Sequence, residues 1–218
     1  MIAEKVYRGY LSSLLAGEHR WCYKITADLV DRGAEIEELY VALFQRSLYE
    51  VGDMWERRQI SVAVEHMASA ITESLMALVY PAIFTVESSE KSAVISCVAN
   101  EYHQIGGKMV AAVFQRHGWH AYFLGTNTSL GDMLELIEEK RPQLVALSLS
   151  ISYNLPNMAR MIKAVADRWP GMPILVGGQA FQHSGLDILA EFASVRYVSS
   201  LDELENLLTK GTFAGAAT

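Results

Sequence analysis

Cysteine is scarce in this chain, which has two cysteines among its 218 residues. Both of them, Cys22 and Cys97, lie in apolar stretches that predict core elements. Two thiols in separate core elements argue against a disulfide framework and favour a reducing compartment. We therefore expect a cytoplasmic protein.

Basic residues are also few, because 18 lysines and arginines stand against 25 aspartates and glutamates, for a formal net charge of -7. They form no basic stripe, so we expect no direct binding to nucleic acid. Near the N-terminus, Glu4, Lys5 and Arg8 interrupt the apolar run that a secretory signal needs. No uninterrupted apolar run is long enough to cross a bilayer, so we expect no membrane insertion.

The glycine patterns that cradle phosphate groups are missing as well. The chain contains neither G-x-G-x-x-G nor G-x-x-x-x-G-K-[ST], which weighs against a dinucleotide site or a P-loop. What remains is an ordinary globular composition, 51% hydrophobic and 20% charged. A chain of this length forms one large domain or two small ones.

The hydrophobic pattern divides the chain in two. Residues 1–85 carry apolar residues at helical spacing in four stretches, broken at Gly17, at Gly33 and at the charged segment 56–59. Four such stretches with short connections predict a four-helix bundle. Ser61 is placed to cap the fourth helix.

Residues 86–91 are polar and predict a linker, and residues 92–210 then alternate between two patterns. Strand-like runs lie at 93–99, 120–124, 144–149, 173–176 and 195–198, and amphipathic helical segments lie at 104–116, 130–140, 155–168, 184–192 and 201–209. This alternation predicts a parallel five-stranded sheet with a flavodoxin-like or Rossmann-like layout. Capping boxes begin at Ser129 and Ser200.

A short loop after the first predicted strand holds the most informative residues. It reads Asn-Glu-Tyr-His-Gln-Ile-Gly-Gly over residues 100–107. Open α/β sheets bind ligands at the carboxyl ends of their strands, and the glycines let a ligand approach the backbone closely. His103 offers an imidazole to a metal ion, and Glu101 is placed to orient its second nitrogen.

Small residues end other predicted strands on the same edge of the sheet. The third strand ends in Leu-Ser-Leu-Ser over residues 147–150, and Gly177 and Gly178 follow the fourth. Together they predict a slot between the sheet and its helices. Each is weak alone, because a histidine in such a loop is usually a surface residue and a glycine there usually serves the turn.

Taken together, these motifs resemble the signature of the cobalamin-binding family, which is an Asp-x-His-x-x-Gly loop, a Ser-x-Leu strand end and a Gly-Gly pair. Here the loop reads Glu101-x-His103-x-x-Gly106, with glutamate in place of aspartate. A helical bundle before an α/β domain is also that family's arrangement. The resemblance covers nearly the whole chain.

The resemblance implies that His103 is the metal ligand and binds cobalt from below, in place of the cofactor's own nucleotide base. It also implies that Glu101 fixes the imidazole tautomer and that the detached base enters the slot. The implied cofactor contacts in the α/β domain are Glu101, His103, Gln104, Gly106, Ser148, Leu149, Ser150, Gly177 and Gly178.

A second motif lies in the bundle, where Trp55 is followed after nine residues by Glu65 and His66. This spacing resembles the light-sensing adenosylcobalamin domains of bacterial repressors, in which the tryptophan packs on the adenosyl group and the acid and histidine help to surround it. A flat indole suits an apolar purine, and a carboxylate accepts hydrogen bonds from ribose hydroxyls. Those domains have a histidine directly after the tryptophan, where this chain has Glu56. Without the resemblance, Trp55 would be a helix-end anchor and His66 a polar surface residue.

The resemblance therefore implies a cobalamin-binding light sensor, a regulatory module more than an enzyme. We expect light to change its conformation or its oligomeric state, with output through a homodimer or homotetramer or through a separate effector. Two alternatives are a corrinoid protein that carries methyl groups between methyltransferases and a scaffold that binds no corrin. A second chromophore, biliverdin, is a further expectation from the aromatic residues Tyr7, Tyr10, Trp21 and Tyr23.

Overall fold

A computed structural model of the chain describes residues 2–83, 87–182, 185–211 and 213. These residues form two compact units, Met1–Ile83 and Phe84–Thr218. The first is built from helices, and the second alternates strands and helices around a parallel sheet. The predicted fold class, a four-helix bundle followed by a Rossmann-like α/β domain with five parallel strands, is confirmed.

The helical unit contains the four predicted helical stretches. They are α1 (Glu4–Leu15), α2 (His19–Asp31), a third stretch made of α3 (Ile36–Glu38), a π-helical segment (Leu39–Gln45) and α4 (Arg46–Glu56), and α5 (Val62–Val79), which a 3-10 turn follows at Tyr80–Ala82. Gly17, just after α1, has a φ of 72°, a conformation that glycine adopts most readily. The Ser61 hydroxyl accepts a hydrogen bond from the backbone of Val64 and caps α5, as predicted.

The π-helical segment was not predicted. Its seven residues include four that are buried, and it supplies aromatic rings to the centre of the bundle. The ring of Phe44 lies 6.2 Å from that of Tyr10 and 6.3 Å from that of Tyr40, measured between centroids. The Ser47 hydroxyl donates to the carbonyl of Leu43 at 2.6 Å. A wider helical turn of this kind is rare, and the spacing of apolar residues does not distinguish it from an α-helix.

Helix α5 is long and apolar enough, by length and composition alone, to cross a membrane. The same test is passed by the core helix of a soluble protein. Six of its residues are buried within the unit, including Ala68, Leu75 and Met76. This single helix is therefore weak support for a membrane span.

The second unit holds the parallel sheet. Its strands are β1 (Ser92–Cys97), β2 (His120–Phe123), β3 (Leu144–Ser148), β4 (Ile174–Gly177) and β5 (Val195–Tyr197), in the order β2-β1-β3-β4-β5. Its helices are α6 (Ile105–Arg116), α7 (Leu130–Lys140), α8 (Leu155–Arg168), α9 (Leu186–Leu189) and α10 (Leu201–Lys210), with 3-10 turns at Ser152–Asn154 and Gln179–Gln182. Because the strand order reverses at β1, α6 and α10 pack together on one face while α7 and α8 cover the other.

Some predicted bounds differ from the structure. Strand β1 ends at Cys97 and not at residue 99, because the chain turns at Asn100, which has a φ of 67°. The helix predicted over 184–192 is confined to the four residues of α9, and position 184 lies outside the described residues. Both capping boxes are confirmed, since the hydroxyls of Ser129 and Ser200 each accept the expected backbone N–H.

Both cysteines should resist modification in the folded protein. Cys22 and Cys97 are fully buried, and burial raises the pKa of Cys22 to about 11 and that of Cys97 to about 12. Only a thiolate attacks a disulfide reagent quickly. We expect both thiols at pH 8 to react more than about a hundredfold more slowly in the native protein than in urea, because the thiolate fraction at a given pH falls as the pKa rises. A chromogenic disulfide reagent measures both rates, and native rates equal to the unfolded ones would contradict the expectation.

Candidate functional site

The predicted loop lies where the structure of an α/β sheet favours a ligand. Strand β1 ends at Cys97 and helix α6 begins at Ile105, and β1 is the strand at which the sheet order reverses. Loops that leave the sheet at such a point flank a crevice at its carboxyl edge. The loop between β1 and α6 carries both Glu101 and His103, and is called the His103 loop below.

Within this loop, Glu101 and His103 form a close pair. The Nδ1 atom of His103 lies 2.6 Å from Oε1 of Glu101, and the backbone N–H of His103 donates to the same oxygen at 3.0 Å. The glutamate side chain is 1% exposed, whereas that of the histidine is 45% exposed. A buried carboxylate thus holds a half-exposed imidazole at the edge of the sheet.

The second oxygen of Glu101 joins the loop to the end of β3. Its Oε2 accepts the backbone N–H groups of Ser150 at 3.1 Å and Ile151 at 3.0 Å. Burial alone would raise the pKa of Glu101, but the hydrogen bonds from the His103 ring and from backbone N–H groups outweigh it and hold this pKa below its ordinary value. The carboxylate is therefore ionised at neutral pH.

An ionised Glu101 determines the tautomer of the histidine. Since the carboxylate only accepts hydrogen bonds, Nδ1 of His103 must carry the proton between them. In the neutral ring, Nε2 then carries the lone pair, which is the form in which an imidazole binds a metal ion. Glu101 is longer than the aspartate of the resembled motif, and it reaches both the ring and the two backbone donors that follow β3.

The predicted slot combines an open position with tightly packed ones. Gly106 is exposed, and a Cβ on it would lie 3.6 Å from the hydroxyl of the buried Ser148. A Cβ on Gly177 would lie 2.9 Å from the carbonyl oxygen of Val198. The absence of a side chain at Gly106 leaves room above Ser148, whereas Gly177 is needed for close backbone packing.

Gly178 and Leu149 act through their backbones. Gly178 has a φ of 120°, and a Cβ on it would lie 2.1 Å from the carbonyl oxygen of Leu149. The side chain of Leu149 is fully buried, while its backbone N–H donates to the carbonyl of Gly177 at 3.0 Å. Ser150 likewise contributes the backbone N–H that Glu101 binds. These residues shape the edge of the sheet beside His103.

Three further details complete this edge. Gln104 precedes α6, and its side-chain oxygen lies 3.8 Å from where a Cβ on Gly125 would be. The thiol of Cys97 donates to the carbonyl of His103 at 3.6 Å. A Cβ on Gly107 would lie 2.8 Å from the ring of Phe123, so this glycine lets α6 pack closely on the sheet. Sequence reasoning missed the roles of Cys97 and Gly107, although the two adjacent glycines at positions 106 and 107 were a signal for the second.

The bundle residues Trp55, Glu65 and His66 belong to the other unit. Trp55 lies in the last turn of α4 and is 40% exposed, which is unusual for so large an apolar side chain. Glu65 is mostly buried, accepts a hydrogen bond from Ser69 at 3.0 Å and lies 3.5 Å from Nε2 of His66. His66 itself is largely exposed. Among the described residues, no group of three or more His, Cys, Asp or Glu side chains converges to hold a metal ion.

Two family models match the chain. Residues 91–200 match one described as "B12 binding domain", and residues 6–80 match a second with the same description. The first match covers the whole sheet with the His103 loop. The second covers the helical unit from within α1 to Tyr80.

Curated relatives and solved structures agree with these family matches. The chain is 27% identical over 121 residues to the HTH-type transcriptional repressor CarA and 29% identical over 136 residues to the repressor CarH, both of Myxococcus xanthus. These alignments cover 55% and 61% of the chain but only 41% and 44% of the repressors, so the chain spans less than half of their length. The monomethylamine corrinoid protein of Methanosarcina barkeri shares the fold with a TM-score of 0.82 at 13% identity, over 96% of this chain and 99% of that one.

Replacing Glu101 by glutamine should destabilise the α/β unit. The glutamine keeps the shape but turns an amide NH₂ toward donors, so buried N–H groups lose an acceptor, at a cost of ~2 kcal/mol at pH 7. Because the folded pKa of Glu101 is below its unfolded value, its contribution is present above the unfolded pKa and lost as the pH falls through the folded one. The difference between wild type and variant in urea unfolding should therefore shrink toward pH 3. Glu139→Gln, at an exposed ion pair with Lys140, is the control and should change little.

A pair of glycine substitutions tests the packing of the edge. Gly178→Ala places a Cβ against the Leu149 carbonyl and should lower the free energy of unfolding by at least ~2 kcal/mol. Gly9→Ala, inside α1 with nothing within 4 Å of the new Cβ, should raise it by up to ~1 kcal/mol. Urea unfolding of both variants measures the contrast, and equal effects would contradict the close approach at Gly178.

Proposed function

Because the chain belongs to the family of B12 binding domains, we propose that it is a cytoplasmic light sensor that holds adenosylcobalamin through His103. Cobalamin binding follows from the family itself. The adenosyl ligand, the response to light and the roles of individual residues are what we propose. In this proposal light changes the conformation or the oligomeric state of the protein.

The chemistry of His103 suits a ligand to cobalt. A corrin would bring most of the ligands of its own cobalt, so the protein would need to add a single donor, and His103 would supply it. Glu101 keeps the proton on Nδ1 of His103 and raises the basicity of Nε2. A carboxylate-supported imidazole on a half-exposed side chain is therefore the donor set that this cofactor requires.

The open position above Ser148 suits the detached nucleotide base. Gly106 presents no side chain there, and the hydroxyl of Ser148 offers a donor and an acceptor. Gly177, Gly178, Leu149 and Ser150 shape the neighbouring backbone. In our proposal these residues, together with Gln104, bind the tail of the cofactor.

One observation carries the light-sensing part of the proposal, namely the half-exposed Trp55 with Glu65 ten positions later. When bound, adenosylcobalamin supplies a cobalt–carbon bond that light can cleave. The Trp55 indole would cover the adenosyl group, and Glu65, already oriented by Ser69 and next to His66, would accept from its ribose hydroxyls. The likeness to CarA and CarH supports this assignment.

The output of the sensor belongs to the same proposal. The chain is acidic, with a net charge of -7. We propose that it signals as a homodimer or homotetramer or through a separate effector protein, without touching nucleic acid itself. Glu56 follows Trp55, so position 56 offers no second imidazole to the cobalt after illumination.

Two further assignments remain alternatives. A corrinoid methyl carrier is supported by the likeness in fold to the monomethylamine corrinoid protein along nearly the whole chain. Biliverdin as a second chromophore has less support, because Tyr7 and Tyr10 are completely buried in the bundle while Trp21 and Tyr23 are about half exposed. Only the latter two offer ring surface to such a ligand.

Absorption spectra and particle size, recorded in the dark and after illumination, test the proposal. Wild-type protein loaded with adenosylcobalamin should show imidazole-bound, base-off cobalamin in the dark, and both spectrum and size should change in the light. His103→Ala should lose the imidazole-bound spectrum. His120→Ala, an exposed histidine at the start of β2, is the matched control and should behave as wild type.

Trp55→Ala separates the light sensor from the methyl carrier. This variant should weaken the binding of adenosylcobalamin much more than the binding of methylcobalamin, because only the adenosyl group would be covered by the indole. If the spectrum of the wild-type protein with adenosylcobalamin stays the same in the light, the light-sensor proposal is contradicted. Preference for methylcobalamin with methyl transfer to a thiol would favour the carrier.

A further inference from the structure

The backbone at the base of the His103 loop is held by asparagines from two other segments. Three consecutive carbonyl oxygens each accept one hydrogen bond from these asparagines. The bonds run from Asn157 Nδ2 to Ala99 O at 2.9 Å, from Asn154 Nδ2 to Asn100 O at 3.1 Å, and from the backbone N–H of Asn127 to Glu101 O at 3.1 Å. We call Asn127, Asn154 and Asn157 the asparagine clamp.

The clamp closes on itself through a fourth bond. The side-chain oxygen of Asn127 accepts the backbone N–H of Asn100 at 3.2 Å. Both of these residues have a positive φ, 67° for Asn100 and 51° for Asn127, in the left-handed region that asparagine tolerates better than most side chains. The chain thus reverses directly before Glu101, and hydrogen bonds from the neighbouring loop hold that reversal.

A cleft borders the base of the His103 loop on one side, and the core of the unit borders it on another, where Ala99 packs. The cleft has a volume of about 400 Å³, and its lining includes Ala99, Asn100, Asn127, Leu130 and Asn157. Ala99 packs against the core, but Asn100 is exposed and borders the cleft, so packing alone does not fix its backbone. The directional amide bonds of the clamp therefore add to the packing of Ala99 in fixing the position of the loop.

The clamp reaches the histidine through Glu101. The backbone of Glu101 is held by Asn127, and its carboxylate holds both the ring and the backbone N–H of His103. A displacement of the Glu101 backbone would carry its carboxylate away from Ser150 and Ile151 or from the ring. Orientation of the imidazole therefore depends on residues that do not touch it.

We propose that Asn127, Asn154 and Asn157 are positioning residues that set the orientation and tautomer of His103, and through it the strength of its bond to cobalt. The part that concerns cobalt rests on the proposed function. The part that concerns the ring does not, because it is a property of the protein without cofactor. Supporting partners of a metal-binding histidine typically change metal affinity by about 10–100-fold.

The first test uses protein without cofactor. Nitrogen NMR of ¹⁵N-histidine-labelled protein at pH 8, with the His103 signals assigned by comparison with His103→Ala, should show one tautomer with Nδ1 protonated. The double variant Asn154→Ala/Asn157→Ala should show a mixture of both tautomers. A single unchanged tautomer in the double variant overturns the proposal.

Single variants keep the test independent of folding and of packing. Asn157 is partly exposed in the first turn of α8, so Asn157→Ala and Asn157→Asp are tolerated more easily than the double change. Aspartate keeps the size of asparagine but replaces the donor by an oxygen facing the Ala99 carbonyl. We expect both variants to mix the tautomers, and an Asp variant with the wild-type tautomer would refute a role for the hydrogen bond.

Asn206→Ala is the matched control. Asn206 also donates from its side chain to a backbone carbonyl, that of Asp202 at 2.8 Å, but on the exposed side of α10. It should leave the His103 tautomer unchanged. An equal effect of Asn206→Ala would mean a general loss of stability and would also overturn the proposal.

The second test adds cobalamin. The double variant should bind it about tenfold more weakly than wild type, and electron paramagnetic resonance of the Co(II) form should show a weakened nitrogen splitting from the histidine. Wild-type affinity and splitting in the double variant overturn the inference about cobalt. If the wild-type complex itself lacks that splitting, the proposed function fails, while the tautomer measurement still decides whether the clamp positions the ring.

Discussion

The arrangement of this site depends on one buried carboxylate. Glu101 accepts hydrogen bonds from the ring and the backbone of His103 and from two backbone N–H groups at the end of β3. A buried charge is costly unless it is paired in this way. Here the paired charge joins two neighbouring strands at their carboxyl ends and, in the same contact, orients the imidazole. A single side chain therefore both supports the backbone of this edge and orients the imidazole of His103.

Much of the fold could be predicted from the sequence because its signals are local. The alternation of strands and helices after residue 92 determines a parallel sheet, and the serines at positions 61, 129 and 200 cap helices as their spacing predicted. The π-helical segment at Leu39–Gln45 could not be predicted in the same way. Its apolar residues have a spacing that an α-helix also accepts, and the difference lies in backbone hydrogen bonds that the sequence does not encode directly.

The candidate site also contains both contacts that could be predicted from the sequence and contacts that could not. Glu101 and His103 are two positions apart, so their pairing could be anticipated from the chain. The contacts of Glu101 with Ser150 and Ile151, and of Asn154 and Asn157 with the His103 loop, join residues about fifty or more positions apart. Small residues at 148–150 indicated an open slot, but their backbone role became visible only once strands β1 and β3 were paired. Asparagine is so common a turn residue in loops that no sequence pattern distinguishes the residues of the clamp from other loop asparagines.

The pairing of β1 with β3 also has a consequence for how the protein is made. Some of the residues that support His103 lie far along the chain, up to Asn157. Contacts between distant parts of a chain form slowly compared with local ones. During synthesis, the histidine leaves the ribosome long before its supporting carboxylate can find the end of β3. A nascent chain that ends before residue 150 thus contains the imidazole of His103 but lacks the two backbone donors that anchor the Glu101 carboxylate. Competence for the cofactor is in this sense acquired late, as a product of sheet assembly.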